Sequence, residues 1–101
     1  KGAIRMSIEH TTTANGNVFA DLGFPATEAA NLQARAQLMI ELSTIMKTRF
    51  STQKEAAEAL SVSPSRVSDL HRGKMERFTV DMLMNMLSKV GRQVEITTKA
   101  A

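Results

Sequence analysis

The sequence contains no cysteine, no tryptophan and no tyrosine among its 101 residues. Without cysteine the chain can form neither disulfides nor thiolate metal sites, which fits the reducing cytoplasm. Its aromatic side chains are four phenylalanines, too few for the stacking by which proteins bind RNA or single-stranded DNA. No apolar run approaches the length of a membrane span, and no signal peptide is visible. We therefore expect one cytoplasmic domain that does not contact a membrane.

Patterns typical of catalysis or metal binding are also missing. No potential nucleophile is paired with a base, and no glycine-rich phosphate loop is present. The two histidines, His10 and His71, lack the spacing of metal ligands and are expected to be structural or surface residues. We predict that the protein is not an enzyme and uses no metal or cofactor. His71 lies in a basic stretch, where its protonated form is suited to a phosphate contact.

Positive charge is concentrated in the second part of the sequence. Residues 1–46 carry three Lys or Arg against four Asp or Glu, whereas residues 47–101 carry ten against six. A basic excess suits binding to phosphates, although an ordinary solvated surface can have the same composition. The motif within the basic part favours the phosphate interpretation.

Residues 52–73, TQKEAAEALSVSPSRVSDLHRG, predict two short helices joined by a tight turn. Thr52 is a suitable N-cap for the first helix, and Glu55 completes a capping box. Ser63 caps the second helix, since the following Pro64 is preorganised for the first helical position. Apolar residues at helical spacing face inward, and a glycine ends the second helix. This arrangement is typical of a helix-turn-helix, whose second helix enters the major groove of DNA.

The flanking sequence predicts further helices. A long helix is expected from Thr27, its N-cap, to about Thr48. A loop over residues 75–78 follows the motif, and a last helix is expected between Thr79 and Gly91.

Alternating apolar and polar residues predict a short strand near each end, over 4–9 and 94–97. Neither strand is stable alone, so we expect segments 4–9 and 93–98 to pair, either within one chain or across a dimer. The alternative is that residues 1–16 form a loose tail. Two candidate dimer surfaces follow, namely the terminal strands and the edge of the last helix formed by Leu83, Met86 and Val90.

Several motif residues match those of a known family: Thr52-Gln53, Ala57, Val62, Val67-Ser68, Leu70 and Arg72-Gly73-Lys74. In these positions the sequence resembles the helix-turn-helix of Cro/phage-repressor-type (XRE) regulators. The flanks, Asn17 to Phe24 and Phe78 to Ile96, resemble a bacterial subgroup that includes antitoxins of the HigA type. One departure is Ser61, at a turn position where the family most often has glycine, since a left-handed backbone is strained for serine.

The resemblance implies an all-α, lambda-repressor-like helix-turn-helix bundle of about four to five helices with short terminal β-strands. We expect an N-terminal arm over 1–25, the DNA-binding domain over 26–91, and a C-terminal strand and tail over 92–101. The implied function is sequence-specific transcriptional regulation, as a repressor that binds a palindromic double-stranded DNA operator as a homodimer. The alternative is an antitoxin of a type II toxin–antitoxin pair, whose main role is to bind and neutralise a toxin protein.

The second motif helix carries the candidates for contacts with base edges: Pro64, Ser65, Arg66 and Asp69. Arg66 can bind a guanine through two parallel hydrogen bonds, its alternatives being a phosphate contact or an ion pair with Asp69. Asp69 either accepts from a cytosine amino group or orients Arg66 or Arg72. The candidates for phosphate contacts, each with capping or simple solvation as the alternative, are Thr52, Gln53, Ser63, Ser68, Arg72, Lys74 and Arg77.

Overall fold

The computed structural model describes residues 3–7, 17–98 and 100. These residues form, in order, β1 Ala3–Ser7, α1 Val18–Asp21, α2 Ala26–Arg49, α3 Gln53–Leu60, α4 Pro64–His71, α5 Val80–Lys89 and β2 Gln93–Thr97. One 3₁₀ turn, Met75–Arg77, lies between α4 and α5. The predicted all-α helix-turn-helix bundle with short terminal strands is confirmed.

Three helices begin at the N-caps that the sequence predicts. The hydroxyl oxygens of Thr52, Ser63 and Thr79 accept hydrogen bonds from the backbone N–H groups three residues further on. A cap of this kind contributes about 1 kcal/mol to helix stability. The capping box is formed differently from the prediction, because the Glu55 carboxylate accepts from the N–H of Ser51 at 3.0 Å rather than from that of Thr52.

The start of α2 differs from the prediction. Thr27 lies within the first turn, and Pro25 occupies the N-cap position without a side-chain hydrogen bond. Proline suits this entry because its φ of −56° is set by the ring, and its carbonyl accepts from the Ala29 N–H at 2.8 Å. The preceding α1 is not predicted by the sequence pattern. Asn17 caps α1 by accepting from the Phe19 N–H at 2.9 Å, and it donates to the Ala29 carbonyl at 2.7 Å.

One hydrophobic core lies between α2 and the helices α3, α4 and α5. Burial of each Val, Leu or Met side chain contributes about 1.5–3 kcal/mol. In the described part of the chain, the buried core residues are Leu38, Met39, Leu42, Ile45, Met46, Ala56, Ala57, Leu60, Val67, Leu70, Phe78, Leu83, Met86, Leu87 and Val90. None of the described helices is both long and apolar enough to cross a bilayer.

The prediction of a dimer surface on the edge of α5 is wrong. Leu83, Met86 and Val90 are buried within the chain's own core, where they pack with residues of the other helices. An apolar stripe at helical spacing looks the same in sequence whether it faces its own chain or a partner. The stripe therefore stabilises the fold of one chain and is not available to a second one.

Residues 75–77 form a 3₁₀ turn rather than the predicted loop. Its geometry depends on distant contacts, since the Arg35 guanidinium of α2 donates to the Met75 carbonyl at 3.2 Å. The Phe78 N–H also donates to the Met75 carbonyl at 3.2 Å and closes the turn. The turn is thus held between α2 and the core.

The two strands pair in parallel within one chain, with Ala3 opposite Gln93 and Ser7 opposite Thr97. The predicted pairing of the chain ends is confirmed for residues 4–7, and the strand begins one residue earlier than predicted, at Ala3. The loose-tail alternative is wrong for residues 3–7. The rest of the predicted first strand, residues 8–9, and His10 lie outside the described residues.

Candidate nucleic-acid interface

The turn between α3 and α4 depends on a left-handed residue. Ser61 has φ 58° and ψ 44°, a conformation that costs a non-glycine residue roughly 1–2 kcal/mol. Its N–H donates to the Glu58 carbonyl at 3.2 Å, and the Val62 N–H donates to the Ala57 carbonyl at 3.0 Å. These bonds end α3 and lead the chain into α4, so the two helices have the helix-turn-helix arrangement that the motif predicts.

The N-terminus of α4 is exposed and carries small polar groups. The Ser63 oxygen accepts from the Arg66 N–H at 3.3 Å and lies 3.0 Å from the Ser65 hydroxyl. Pro64 and Ser65 follow at the surface. The end of this helix is therefore accessible to a ligand, and its partial positive charge favours an anionic one.

Arg66 and Asp69 contact the 3₁₀ turn rather than each other. The Arg66 guanidinium donates to the Arg77 carbonyl at 2.8 Å and lies 5.6 Å from the centre of the Phe78 ring. The Asp69 carboxylate is 3.5 Å from the Arg77 guanidinium. The predicted alternative of an Arg66–Asp69 ion pair is not formed, and Asp69 orients Arg77 rather than Arg66 or Arg72. Pairing with Arg77 partly neutralises the Asp69 carboxylate.

The phosphate candidates fall into groups at the ends of the two motif helices. Thr52 and Gln53 lie at the start of α3 and Ser63 at the start of α4, and all three are exposed. The hydroxyl oxygens of the two caps accept intrahelical bonds, which leaves the Thr52 hydrogen able to donate to a phosphate. The Ser63 hydroxyl shares a hydrogen bond with Ser65, and one hydrogen of this pair is able to donate outward. Ser68, half-buried, lies on α4 itself. The basic candidates follow the helix, and they are Arg72, Lys74 and Arg77.

A lysine that the sequence pattern does not single out lies beside the start of α3. Lys47, from the last turn of α2, lines a depression of about 210 Å³ together with Thr52, Gln53 and His71. An exposed ammonium next to a helix N-terminus is suited to a phosphate. The sequence shows only that the last turn of α2 is basic, and the approach of Lys47 to Gln53 is a result of tertiary packing.

His71 is held by α2 rather than free to contact DNA. Its Nδ1 lies 2.7 Å from the Ser43 hydroxyl. Burial, with a smaller effect from the positive charge of Lys47, lowers the pKa of His71 below its ordinary value. The imidazole is therefore mainly uncharged at neutral pH, and the predicted phosphate contact by its protonated form is not favoured there. Within the described ranges, no three acidic or histidine side chains are grouped so as to hold a metal ion.

Comparisons with known proteins give a consistent assignment. The profile of a family described as a helix-turn-helix domain matches residues 18–99. A solved structure of a protein provisionally assigned to the XRE family of transcriptional regulators is 28% identical, with a TM-score of 0.67. The match covers 73% of this chain and 83% of that one. No curated protein matches the chain. The chain therefore belongs to the helix-turn-helix domain family, and its fold is of the XRE type.

Proposed function

We propose that the protein is a cytoplasmic transcriptional regulator that binds a specific double-stranded DNA sequence and represses transcription. The observation that carries this proposal is the exposed, Ser63-capped start of α4 beside the exposed start of α3. In a helix-turn-helix the start of the second helix contacts base edges while the first helix lies across the backbone. The 28% identity to the XRE-family structure supports the same assignment.

Base contacts are assigned to the exposed face at the start of α4. Ser65 has a hydroxyl that either donates to or accepts from a base, and Pro64 offers an apolar contact to a thymine methyl. Arg66 has guanidinium N–H groups beyond the one bonded to Arg77, and these are suited to guanine. Asp69 lies one turn further along the helix, where a carboxylate accepts from a cytosine amino group.

Phosphate contacts are assigned to both ends of the motif. Gln53 and Thr52 bind at the start of α3, where Lys47 adds a charge that the sequence pattern does not reveal. Ser63, the N-cap of α4, and Ser68, on α4 itself, donate to phosphate oxygens. The basic residues after α4 complete the set, and they are Arg72, Lys74 and Arg77.

The proposed active form is a homodimer on a palindromic operator. One recognition helix contacts only a few base pairs, which is too few to select an operator in a genome. Because the stripe on α5 is buried within the chain, the terminal sheet is the remaining candidate for the dimer contact. The described strands form a two-stranded sheet, which is marginal alone, and a sheet of this kind is a site where a second chain can add a strand.

Selection from a random DNA library, followed by binding measurements over a range of salt concentrations, tests the proposal. We expect an inverted repeat with half-sites about 10 base pairs apart and two protomers on each operator. Lys74→Gln is expected to weaken binding to all DNA sequences alike. The slope of log K against log salt concentration should become less negative by roughly 0.9 for each phosphate that the variant no longer neutralises. In a dimer the slope should therefore change by about 2.

Lys89→Gln is the matched control, because Lys89 is an exposed lysine on α5, outside the motif. It should leave the salt dependence unchanged. Failure to enrich any sequence, or equal effects of the two lysine substitutions, would contradict DNA binding by the motif.

A second candidate function is that of an antitoxin, and exposed apolar residues beside the start of α2 favour it. Leu22 in the turn after α1 is 70% exposed and Phe24 is 40% exposed. Ile96 of β2, also exposed, lines a cleft of about 290 Å³ with Thr27 and other residues of α2. Apolar side chains exposed close together mark sites of protein contact.

The antitoxin proposal requires a toxin-like reading frame beside the gene, and the product of that frame is the partner to test. Leu22→Asp should abolish co-purification of the two proteins, because it places a charge on the apolar contact. The affinity of the same variant for the selected operator should be unchanged. Undiminished co-purification of Leu22→Asp would exclude this surface as the toxin contact.

A further inference from the structure

A cleft lies on the side of α2 that faces the end of α4. Its volume is about 340 Å³, within the range of sites for small molecules, about 300–1,000 Å³. Residues spaced along one face of α2 form one wall, and the end of α4 with the first residue of the 3₁₀ turn forms the other. The lining residues from α2 that matter here are Ala36, Met39, Ile40, Ser43 and Lys47.

The floor and rim of the cleft are apolar. Met39 and Leu70 are buried at its floor, and the half-buried Met75 contributes from the 3₁₀ turn. Ile40 lies at the rim with 67% of its surface exposed. Methionine side chains adapt to ligands of different shape. Covering the exposed Ile40 side chain with the apolar atoms of a ligand lowers the free energy of the complex.

The polar side chains of the cleft are one cation, Lys47, and three neutral groups, Ser43, Thr44 and His71. Lys47 lies at one end and forms no ion pair with the other described residues. The Ser43 hydroxyl and the His71 ring are joined at 2.7 Å, so that pair is largely satisfied. In the part of the chain that the structure describes, no acidic residue lines the cleft. The ligand that complements these groups has an apolar body and one negative charge.

We propose that this cleft binds a small organic carboxylate, with its apolar body against Met39, Leu70 and Met75 and its carboxylate at Lys47. The apolar floor disfavours nucleic acid, whose backbone is charged throughout, and the size of the cleft suits a molecule of moderate length. The site is separate from the exposed start of α4, but it shares Lys47 with the proposed phosphate contact beside α3. A bound carboxylate and DNA would therefore compete for this ammonium, whereas ligand binding to the DNA-free protein is independent of DNA recognition.

Octanoate is a suitable probe, and the methionine methyl groups provide the measurement. In protein labelled with ¹³C at the methionine methyls, octanoate should shift the Met39 and Met75 resonances in a saturable manner. Met82 and Met84, on α5 and outside the cleft lining, should not shift. Octanamide, which has the same apolar body without the charge, should bind more weakly by a factor of about 1.5 to 5, the ratio expected for one exposed ion pair.

Lys47→Gln should lower octanoate affinity by the same factor and leave octanamide affinity unchanged. Lys89→Gln is again the control and should alter neither affinity. Shifts spread over all methionines, or equal octanoate binding by wild type and Lys47→Gln, would overturn the proposal. It would also be overturned if the Met39 and Met75 resonances moved on dilution of the protein alone, since a second copy of the chain would then occupy the cleft.

Discussion

Phe78→Ala is expected to lower the free energy of unfolding by about 3–5 kcal/mol. A domain of this size has a total stability of about 5–15 kcal/mol, so the variant should be partly unfolded at elevated temperature. Phe78 is 1% exposed and belongs to the central core. Its removal leaves a cavity at the junction of the 3₁₀ turn and α5, and Arg66 loses the aromatic ring beneath its guanidinium. Chemical denaturation monitored by circular dichroism measures the change in stability.

Phe24→Ala is the matched control, because it removes the same side chain from a surface position. Phe24 is 40% exposed and makes one edge-to-face contact with Phe19, with ring centres 6.2 Å apart. A pair of this kind contributes about 0.5–1.5 kcal/mol beyond its area burial, and truncation at an exposed site leaves no enclosed cavity, so the control should cost less than the core substitution. Equal destabilisation of the two variants would show that Phe78 does not fill the core in solution.

Local signals explain why the sequence predicts the motif helices so closely. Thr52, Ser63 and Thr79 act through hydrogen bonds to residues three positions away, and such bonds depend only on the neighbouring sequence. Proline at the first position of α4 adds a second local signal. The bounds of α3 and α4 could therefore be predicted from the sequence. The predicted start of α2 is too late in the chain because Pro25, rather than a residue with a hydroxyl group, occupies the N-cap position.

Contacts between distant segments explain what the sequence could not predict. The 3₁₀ turn at 75–77 is held by Arg35, which is 40 residues before its partner Met75, and by Arg66 on the preceding helix. The pairing of Asp69 with Arg77 rather than Arg66 follows from the position of this turn. Hydrophobic periodicity likewise does not reveal whether the stripe on α5 faces its own chain or a second one.

Among the candidate site residues, those placed by local signals could be predicted from the sequence, and those placed by tertiary packing could not. Pro64 and Ser65 are exposed as the motif implies, because their position depends on the cap at Ser63. Lys47 could not be assigned to the same interface, since its distance from Gln53 depends on how α2 packs on α3. The parallel direction and the register of the terminal strands also required the structure, because alternation predicts two strands that need a partner but not how they align.

Arg66→Ala is expected to weaken operator binding by about 1–3 kcal/mol for each half-site. Two recognition helices act in the proposed dimer, so the total effect is roughly twice this value if the half-sites contribute independently. The bond from Arg66 to the Arg77 carbonyl at 2.8 Å holds the guanidinium beside α4 before DNA arrives. Binding then restricts the side chain less, which favours a specific contact. Fluorescence anisotropy with operator and scrambled DNA measures the effect.

Comparison with Arg72→Ala separates base recognition from attraction to phosphates. Arg72 is an exposed arginine that follows α4 and is assigned to the backbone, so its removal should weaken operator and scrambled DNA equally. Arg66→Ala should instead reduce the ratio between the two affinities. The effect of Arg66→Ala on the free energy of unfolding is measured separately by denaturation. It should be about 1 kcal/mol, since one hydrogen bond and one aromatic contact are removed. If Arg66→Ala leaves the ratio unchanged, Arg66 supports the fold of α4, and base recognition belongs to Ser65 and Asp69.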